Sequence, residues 1–357
     1  MEFSYLYIFI FIYLIFFMDN LLDKILIESY ELCASDIHLV VGSKPIFRID
    51  GELISREEYI TITRESILDL IKSFLQEEYF NRFLKNKELD ISYDIKNISR
   101  FRVNLYFERD NPCFVARIIS KKIPKMEEFK LPSVVSDLVS SFRGLVLVTG
   151  PTGSGKSTTL ASMVDFINEN QAKNIITIED PIEFVYESKK SLITQRQFDI
   201  DTFSYDEALK HVLRQDPNVI MVGEMRDLET IASTITLAES GHLVFSTLHT
   251  FNACQTIDRI IDVFPVSAQA QIRTQLSMTL SLVVSQRLIP KIGGGRVAVR
   301  EIMINTPAIA NLIREGKTSQ INNIIQTSSA EGMFTMKQNV EQLINMGVVD
   351  KKYEDLF

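Results

Sequence analysis

The stretch Gly144–Thr159, GLVLVTGPTGSGKSTT, decides the fold of the second half of this chain. Its apolar start predicts a strand that breaks abruptly into a glycine-rich turn, and the apolar positions after the turn recur at helical spacing. The turn fits the P-loop pattern G-x-x-x-x-G-K-[ST], in which backbone N–H groups cradle phosphate oxygens at the positive end of a helix. A chance match to a glycine-rich turn is the alternative, but strand and helix both stand where a P-loop needs them. The sequence therefore predicts that this stretch binds ATP or GTP.

The residues of this loop can be given separate tasks. Its glycines allow backbone angles that other residues avoid. Lys156 is predicted to place a positive charge on the β- and γ-phosphates and to be catalytic, and Ser157 to offer its hydroxyl to Mg²⁺. We therefore predict ATP or GTP together with Mg²⁺ as the bound groups, with Ser157 as the metal ligand. The predicted nucleotide-binding residues of the loop are Gly150, Pro151, Thr152, Gly153, Ser154, Gly155, Lys156, Ser157 and Thr158.

The composition of the 357-residue chain limits the class of protein. The length predicts two domains, and a hydrophobic content of 46% is enough for two cores. A net charge of −8 argues against broad affinity for nucleic acid. The cysteines Cys33, Cys113 and Cys254 lie far apart, which argues against a zinc ribbon or a disulfide framework and is typical of a reducing cytosol.

The first residues differ from the rest of the chain. Residues 3–18 are apolar or aromatic except for Ser4, and as a helix they would reach about 24 Å, short of a bilayer core of about 30 Å. A membrane-surface anchor, a short spanning helix and a non-native extension from a misassigned start codon are the three interpretations. We favour the third for residues 1–17, because Met18 followed by Asp19 makes a natural start.

Two regions with different patterns of predicted secondary structure follow. Alternating apolar residues, with helical spacing at Leu21–Leu32 and Ile67–Leu84, predict a small α+β domain over residues 18–119. A proline and many charges predict a linker over 120–131. Strands and helices then alternate over 132–357, which predicts an α/β domain with a mainly parallel sheet and a helical C-terminal part, with the ligand at the carboxyl ends of the strands. The predicted strands here are Leu145–Thr149, Ile175–Glu179, Val219–Gly223 and Leu243–Leu248, and the late helices are Ala268–Leu288, Pro307–Glu315 and Phe334–Met346.

Two acidic strand ends are the catalytic candidates. Glu179 ends a strand beside the P-loop and could position water or Mg²⁺, although an exposed acidic turn is the alternative. The run 219–224, VIMVGE, resembles a Walker B strand in which Gly223 replaces the aspartate that usually holds Mg²⁺. We predict that Glu224 polarises the attacking water, since one positioned carboxylate suffices in phosphoryl transfer.

Histidines and arginines supply further candidates. The run 241–250, GHLVFSTLHT, places His242 and His249 at the two ends of one strand, a spacing unlike that of a zinc site. We predict that His249 senses the γ-phosphate, with a weaker case for His242; a structural role is the alternative for both. Arg100 and Arg102 share one strand face. They are either solvated surface charges or groups that neutralise a transition state in a neighbouring domain or subunit.

Several motifs together resemble those of the secretion and type IV pilus ATPases, a family of P-loop NTPases, and more narrowly its pilus retraction branch. They occur in the family's order from Met18 to the C-terminal region. The resemblance implies a PAS-like α+β N-terminal domain, a RecA-like P-loop C-terminal domain and a homohexameric ring. The motifs are ASDIHL (34–39), RFRVN (100–104), TGPTGSGKSTTLASM (149–163), TIEDPIEF (177–184), LRQDPNVIMVGEMRD (213–227), GHLVFSTLHT (241–250), ANLIRE (310–315) and GMFTMKQ (332–338).

The resemblance also implies a function and site roles. It implies a cytoplasmic ATPase at the inner face of the cytoplasmic membrane that retracts type IV pili and so powers twitching motility. The expected partners are further copies of the chain, an inner-membrane platform protein and a paralogous retraction ATPase, without nucleic acid. By resemblance, Glu179 belongs to the Asp box, Glu224 to Walker B, and His242 and His249 to the His box, while Arg102 and Arg117 match arginines that reach nucleotide phosphates from the N-terminal domain.

Three positions depart from the family pattern, and other functions stay open. Asn218 stands where Asp is usual, Gln197 where Glu is usual, and Ala310 where the retraction motif carries Arg. The last leaves open an accessory retraction motor. A pilus-assembly or type II secretion ATPase is the nearest rival, although such proteins usually carry a tetra-cysteine zinc insertion. A nucleic-acid motor, which would need a basic, aromatic-lined channel, and a non-enzymatic nucleotide-gated scaffold are the remaining alternatives.

Overall fold

The computed structural model describes residues 21–49, 51–96, 98–119, 123–141 and 143–356. The chain divides into two compact units, residues 1–122 and 123–357, each with its own sheet. The predicted extension over residues 1–17 lies outside the described residues. Met126, within the predicted linker, packs into the core of the second unit. None of the described helices is both long and apolar enough to cross a bilayer.

The first unit is built on a six-stranded antiparallel sheet in the order β3-β2-β1-β6-β5-β4. Side chains alternate between its faces, so Ile37, Phe47 and Phe114 enter one core with Leu22 and Ile25 of the first helix. This matches the predicted α+β character of the region. The elements are α1 Leu21–Glu31, β1 Asp36–Val40, β2 Ile46–Ile49, β3 Glu52–Ser55, α2 Arg64–Phe74, α3 Glu77–Asn86, β4 Glu88–Ile95, β5 Ser99–Glu108 and β6 Asn111–Ile119.

The helical spacing over Ile67–Leu84 belongs to two separate helices, α2 and α3. Leu75 and Gln76 between them have extended backbone, with ψ of 139° and 150°. Ile71 of α2 and Phe83 of α3 nevertheless enter the same core. Apolar spacing therefore continues across the break and does not reveal it.

The second unit is built on a seven-stranded sheet in the order β13-β12-β7-β11-β10-β8-β9, parallel except for the β12–β13 pair. Leu145 and Leu147 of β7 enter one core while Val146 and Val148 enter the other, so both faces are covered. This is the mainly parallel α/β sheet that the sequence predicted. The helices are α4 Ser133–Val139, α5 Lys156–Asn170, α6 Tyr205–Val212, α7 Leu228–Glu239, α8 Ala253–Asp262, α9 Val266–Thr279, α10 Pro307–Glu315, α11 Ile321–Thr327 and α12 Met336–Asn345, and the strands are β7 Gly144–Thr149, β8 Asn174–Glu179, β9 Leu192–Gln197, β10 Val219–Val222, β11 Leu243–Leu248, β12 Leu280–Pro290 and β13 Arg296–Ile304.

The predicted helix Ala268–Leu288 was wrong after Thr279. From Leu280 the chain forms β12, which pairs in parallel with β7 in the middle of the sheet. A short apolar run buried on both faces cannot be distinguished from a buried helix by periodicity. The glycines at 293–295 join β12 to β13. No sequence pattern predicted β13, β3 or β9.

Candidate nucleotide site

The loop between β7 and α5 has the geometry of a phosphate cradle. Gly150, Gly153 and Gly155 all have positive φ, at 146°, 76° and 85°. A Cβ at Gly150 would lie 2.2 Å from the backbone oxygen of Gln286, so this close approach requires glycine. Helix α5 begins at Lys156, and the N–H groups of its first turn lack intrahelical partners. The loop can therefore bind an anion at the positive end of the helix.

Lys156 is turned back onto the loop itself. Its Nζ donates to the backbone oxygens of Gly150 and Pro151 at 2.8 and 3.1 Å. Burial lowers the pKa of Lys156, and the nearby carboxylates of Glu224 and Glu183 partly offset that shift. The ammonium group thus lies in the cradle, held by acceptors that phosphate oxygens can replace.

The loop also contains polar atoms that fit a nucleotide with its metal ion. The hydroxyl of Ser154 is buried and has no hydrogen-bond partner in the described part of the chain, which suits an atom that would contact phosphate. Ser157 lies in the first turn of α5 and is half-buried. Mg²⁺ is commonly held by one or two protein oxygens together with substrate phosphates. The residues present therefore fit Mg²⁺ carried by a nucleotide.

Strand β12 supports the loop from behind. Gln286 is 1% exposed; its Nε2 donates to the Ser154 oxygen at 2.7 Å, and its Oε1 accepts from the Thr159 hydroxyl at 3.0 Å. The adjacent Ser285 accepts from the hydroxyl of Thr149 at 2.9 Å. The sequence did not reveal this support, because its pattern predicted a helix over this segment.

The structure brings two predicted site residues together beside the P-loop. Glu224 follows β10 and His249 follows β11, and these strands end at the same edge of the parallel sheet as β7. One carboxylate oxygen of Glu224 lies 3.1 Å from His249 Nε2, and the other accepts from Arg226 Nε at 3.0 Å. Arg226 also approaches Asp180 at 3.7 Å. The carboxylate predicted to polarise water is thus held on both oxygens.

His242 lies elsewhere. It precedes β11, at the amino end of the strand, and its Nδ1 is 3.0 Å from the Ser240 hydroxyl and 3.2 Å from the Leu237 oxygen. The P-loop of the same chain lies at the opposite edge of the sheet. The predicted nucleotide contact of His242 therefore gains no support from this chain's own site.

The carboxyl group of Glu179 is buried at the end of β8. Its Oε1 accepts from the hydroxyl of Thr177 at 2.7 Å and from Nε2 of Gln195 at 3.0 Å. Burial raises the pKa of Glu179 to about 7, and the hydrogen bonds offset this only in part. Glu183, half-buried and close enough to raise the pKa of Lys156, is a further acid at this edge. The acidic run 179–183 contained that signal, but the position at the end of the predicted strand singled out only Glu179.

The predicted arginines lie in the sheet of the first unit. Arg102 of β5 and Arg117 of β6 are directly paired in the register, so their side chains are neighbours on one face. Arg100, two residues from Arg102, forms an ion pair with Asp94 at 3.3 Å. Arg117 forms one with Asp36 at 2.8 Å. The sheet thus sets Arg102 and Arg117 side by side.

Comparison with known proteins agrees with this geometry. Residues 16–294 match the family model described as T2SSE, Type II/IV secretion system protein. The type IV pilus retractation ATPase PilT of Pseudomonas aeruginosa is 46% identical over 331 residues, covering 93% of this chain and 96% of that protein. The twitching motility protein of Neisseria gonorrhoeae is 47% identical over 306 residues, covering 85% of this chain and 82% of that protein. A crystal structure of the pilus retraction motor PilT with bound ADP superposes with a TM-score of 0.87 at 42% identity, covering 95% and 96% of the two chains.

Proposed function

The chain belongs to the Type II/IV secretion system protein family and is an ATPase, and we propose that it hydrolyses ATP to retract type IV pili and so powers twitching motility. The observation that carries this proposal is the P-loop with Glu224 and His249 at one edge of the sheet. The names of the two relatives, which refer to pilus retraction and to twitching motility, indicate that the motor acts on the type IV pilus and retracts it.

The proposed architecture follows the family resemblance. The first unit is a PAS-like domain over residues 18–119, and the second is a RecA-like domain over 132–357. The segment 120–131, predicted as the linker, joins the two domains, and its residues 123–131 belong to the second unit. The two separate cores and the two sheet topologies support this division.

The chemistry assigns a task to each residue at the site. Mg-ATP, when bound, supplies the phosphoanhydride bond to be broken and a metal charge that neutralises the phosphates. Lys156 leaves the carbonyls of its own loop for phosphate oxygens, and Ser157 offers its hydroxyl to the metal. Glu224 orients the attacking water and accepts its proton, and His249 holds the carboxylate and reports on the γ-phosphate. Placement of charge in this manner provides most of the catalysis in phosphoryl transfer.

The remaining residues and partners extend the proposal beyond one subunit. Arg102 and Arg117 reach the phosphates of a nucleotide bound to another domain or subunit of a homohexamer. The motor works in the cytoplasm at the inner face of the membrane, on a platform protein of the pilus machine. An accessory retraction motor of the same family is the second candidate, because Ala310 stands in α10 where the retraction motif carries Arg.

Two substitutions test the enzymatic proposal. Lys156→Ala should abolish ATP hydrolysis and weaken nucleotide binding, because the cradle loses its cation.

Glu224→Gln keeps the shape of the side chain but accepts a proton poorly, so ATP binding should persist while turnover falls by at least about 100-fold. Steady-state phosphate release and titration with a fluorescent ATP analogue measure these effects.

Exposed residues provide matched controls for both substitutions. Lys210→Ala and Glu239→Gln change surface side chains of α6 and α7 and should behave as the unaltered chain does. Near-normal turnover of Lys156→Ala would refute the P-loop assignment. Unchanged turnover of Glu224→Gln would move the catalytic role to another acid, with Glu179 and Glu183 the first to examine.

A further inference from the structure

A row of charged residues crosses the sheet of the first unit. The strand register places Arg48 of β2 opposite Asp36 of β1, Asp36 opposite Arg117 of β6, and Arg117 opposite Arg102 of β5. Directly paired residues point to the same face of a sheet. The neighbours that alternate with them, such as Ile37, enter the core on the other face. Three cations and one carboxylate therefore share one side of the sheet.

Asp36 is held at both carboxylate oxygens. Its Oδ1 accepts from Arg117 Nε at 2.8 Å, and its Oδ2 accepts from the Ser35 hydroxyl at 2.8 Å and lies 3.8 Å from Arg48 Nε. Burial raises the pKa of Asp36, but the hydrogen bonds from Ser35 and Arg117 outweigh it, so the pKa lies below its usual value. The side chain is 12% exposed. Asp36 is thus a charged, immobile acceptor.

Arg117 is held by one edge of its guanidinium group alone. Asp36 contacts Nε, and in the part of the chain that the structure describes neither Nη atom has a hydrogen-bond or ion-pair partner. The side chain is 65% exposed. The edge formed by the two Nη atoms, which binds phosphate in a bidentate manner, is therefore presented outward.

The pairing of Arg117 with Arg102 does not serve the stability of the sheet. Like charges directly opposite each other on adjacent strands repel and are destabilising. An anion placed against both guanidinium groups would reverse the sign of that effect. The pair therefore has the properties of an anion-binding site, and Asp36 fixes the orientation of Arg117 within it.

We propose that Asp36 is a positioning residue that aims the guanidinium of Arg117 at the phosphates of the nucleotide. The inference rests on the proposed function, in which Arg117 and Arg102 reach those phosphates, and it adds why the aspartate of the ASDIHL segment is present. Asp36 itself touches no nucleotide. Ser35 and Arg48 hold the other oxygen of the carboxylate, and the carboxylate in turn orients Arg117.

The test uses steady-state ATP hydrolysis by the full chain. Asp36→Asn keeps the size of the side chain and removes its charge, so the hydrogen bond from Arg117 Nε loses its ionic component and the guanidinium group is oriented less firmly. Misplacement of a catalytic group costs on the order of 10- to 100-fold. We expect kcat to fall about tenfold while KM for ATP changes less than about twofold. Asp36→Glu, which restores the carboxylate, should recover part of the loss.

A double substitution separates positioning from a structural role. Arg117→Ala alone should lower kcat by about 1,000-fold or more, the range of a phosphate-neutralising arginine. If Asp36 acts through Arg117, adding Asp36→Asn to Arg117→Ala should lower kcat no further. A further loss in the double variant would show a structural effect and overturn the inference.

Another ion pair of the same unit supplies the control. Asp110→Asn breaks the exposed pair of Asp110 with Arg64, which lie 3.3 Å apart, and should leave kcat unchanged. A normal kcat for Asp36→Asn beside a slow Arg117→Ala would overturn the positioning role alone. A normal kcat for Arg117→Ala would instead refute the proposed role of Arg117 in hydrolysis, and the inference would fail with it.

Discussion

Glu179 is an acid at this site whose protonation the fold favours. Its side chain is almost completely buried, and the pKa of the carboxyl group is raised by that burial to about 7, against 4.5 for an ordinary glutamate. Below pH 4.5 the folded and unfolded chains are both protonated here. Between 4.5 and 7 the unfolded chain loses the proton and the folded chain keeps it, so the free energy of unfolding falls as pH rises. Above 7 the contribution is constant.

Glu179→Gln should remove this pH dependence, because glutamine has a similar shape and does not titrate. Relative to the variant, the unaltered chain should lose about 3 kcal/mol of unfolding free energy between pH 4.5 and pH 7.5. Urea denaturation at several pH values measures the difference. A gap between the two proteins that stays constant with pH would contradict the buried, protonated carboxyl group.

At the scale of elements, strand β12 packs against the P-loop and holds it in place. Consecutive residues of the strand bond to β7, to the loop and to α5, through Ser285 and Gln286. Because Gln286 is fully buried, its two hydrogen bonds fix the distance between the loop and the strand. The shape of the cradle is therefore set by a strand more than 120 residues further along the chain.

Gln286→Leu should weaken nucleotide binding while the chain still folds. Leucine fills a similar volume but leaves the Ser154 oxygen and the Thr159 hydroxyl without their partner, a cost of about 1–3 kcal/mol for each unsatisfied group. We expect the Kd for ATP to rise at least about tenfold. Fluorescent nucleotide titration measures it, with Gln271→Leu at an exposed position of α9 as the control. Equal affinities for Gln286→Leu and the unaltered chain would show that the loop keeps its shape without β12.

What the sequence predicted at this scale depended on how local each signal was. The strand, turn and helix around Lys156 form one continuous pattern, and the structure confirms them. Strand β12 is hidden because its apolar run gives no period, and its neighbour β7 is distant in the chain. The pairing of Asp36 with Arg117 depends on a register 81 residues apart, which no local pattern reports. Glu183 lies within the acidic run 179–183, but its position near Lys156 depends on the course of the backbone after β8.

At the scale of the whole molecule, the predicted site residues belong to both units. The P-loop, Glu224 and His249 belong to the second unit, while Arg102 and Arg117 belong to the first. Each unit has its own hydrophobic core. If the arginines complete the site, the second unit alone should still bind ATP but should hydrolyse it slowly.

A fragment of residues 123–357 should therefore bind ATP but hydrolyse it poorly. It keeps the P-loop and its supporting strand and lacks the arginines that would neutralise the transition state. Nucleotide titration and phosphate release, compared with the full chain at equal concentration, give the two quantities. Equal turnover in the fragment and the full chain would show that the second unit is sufficient for catalysis.

Retraction of the pilus is the central claim, and it is tested most directly in the bacterium that encodes the chain. The gene is deleted and complemented with the unaltered chain or with Glu224→Gln, and surface pili and twitching are scored in each strain. A retraction motor predicts abundant surface pili and no twitching in the deletion strain and with Glu224→Gln, and recovery of twitching with the unaltered chain. Cells without surface pili in the deletion strain would contradict retraction and assign the chain to pilus assembly.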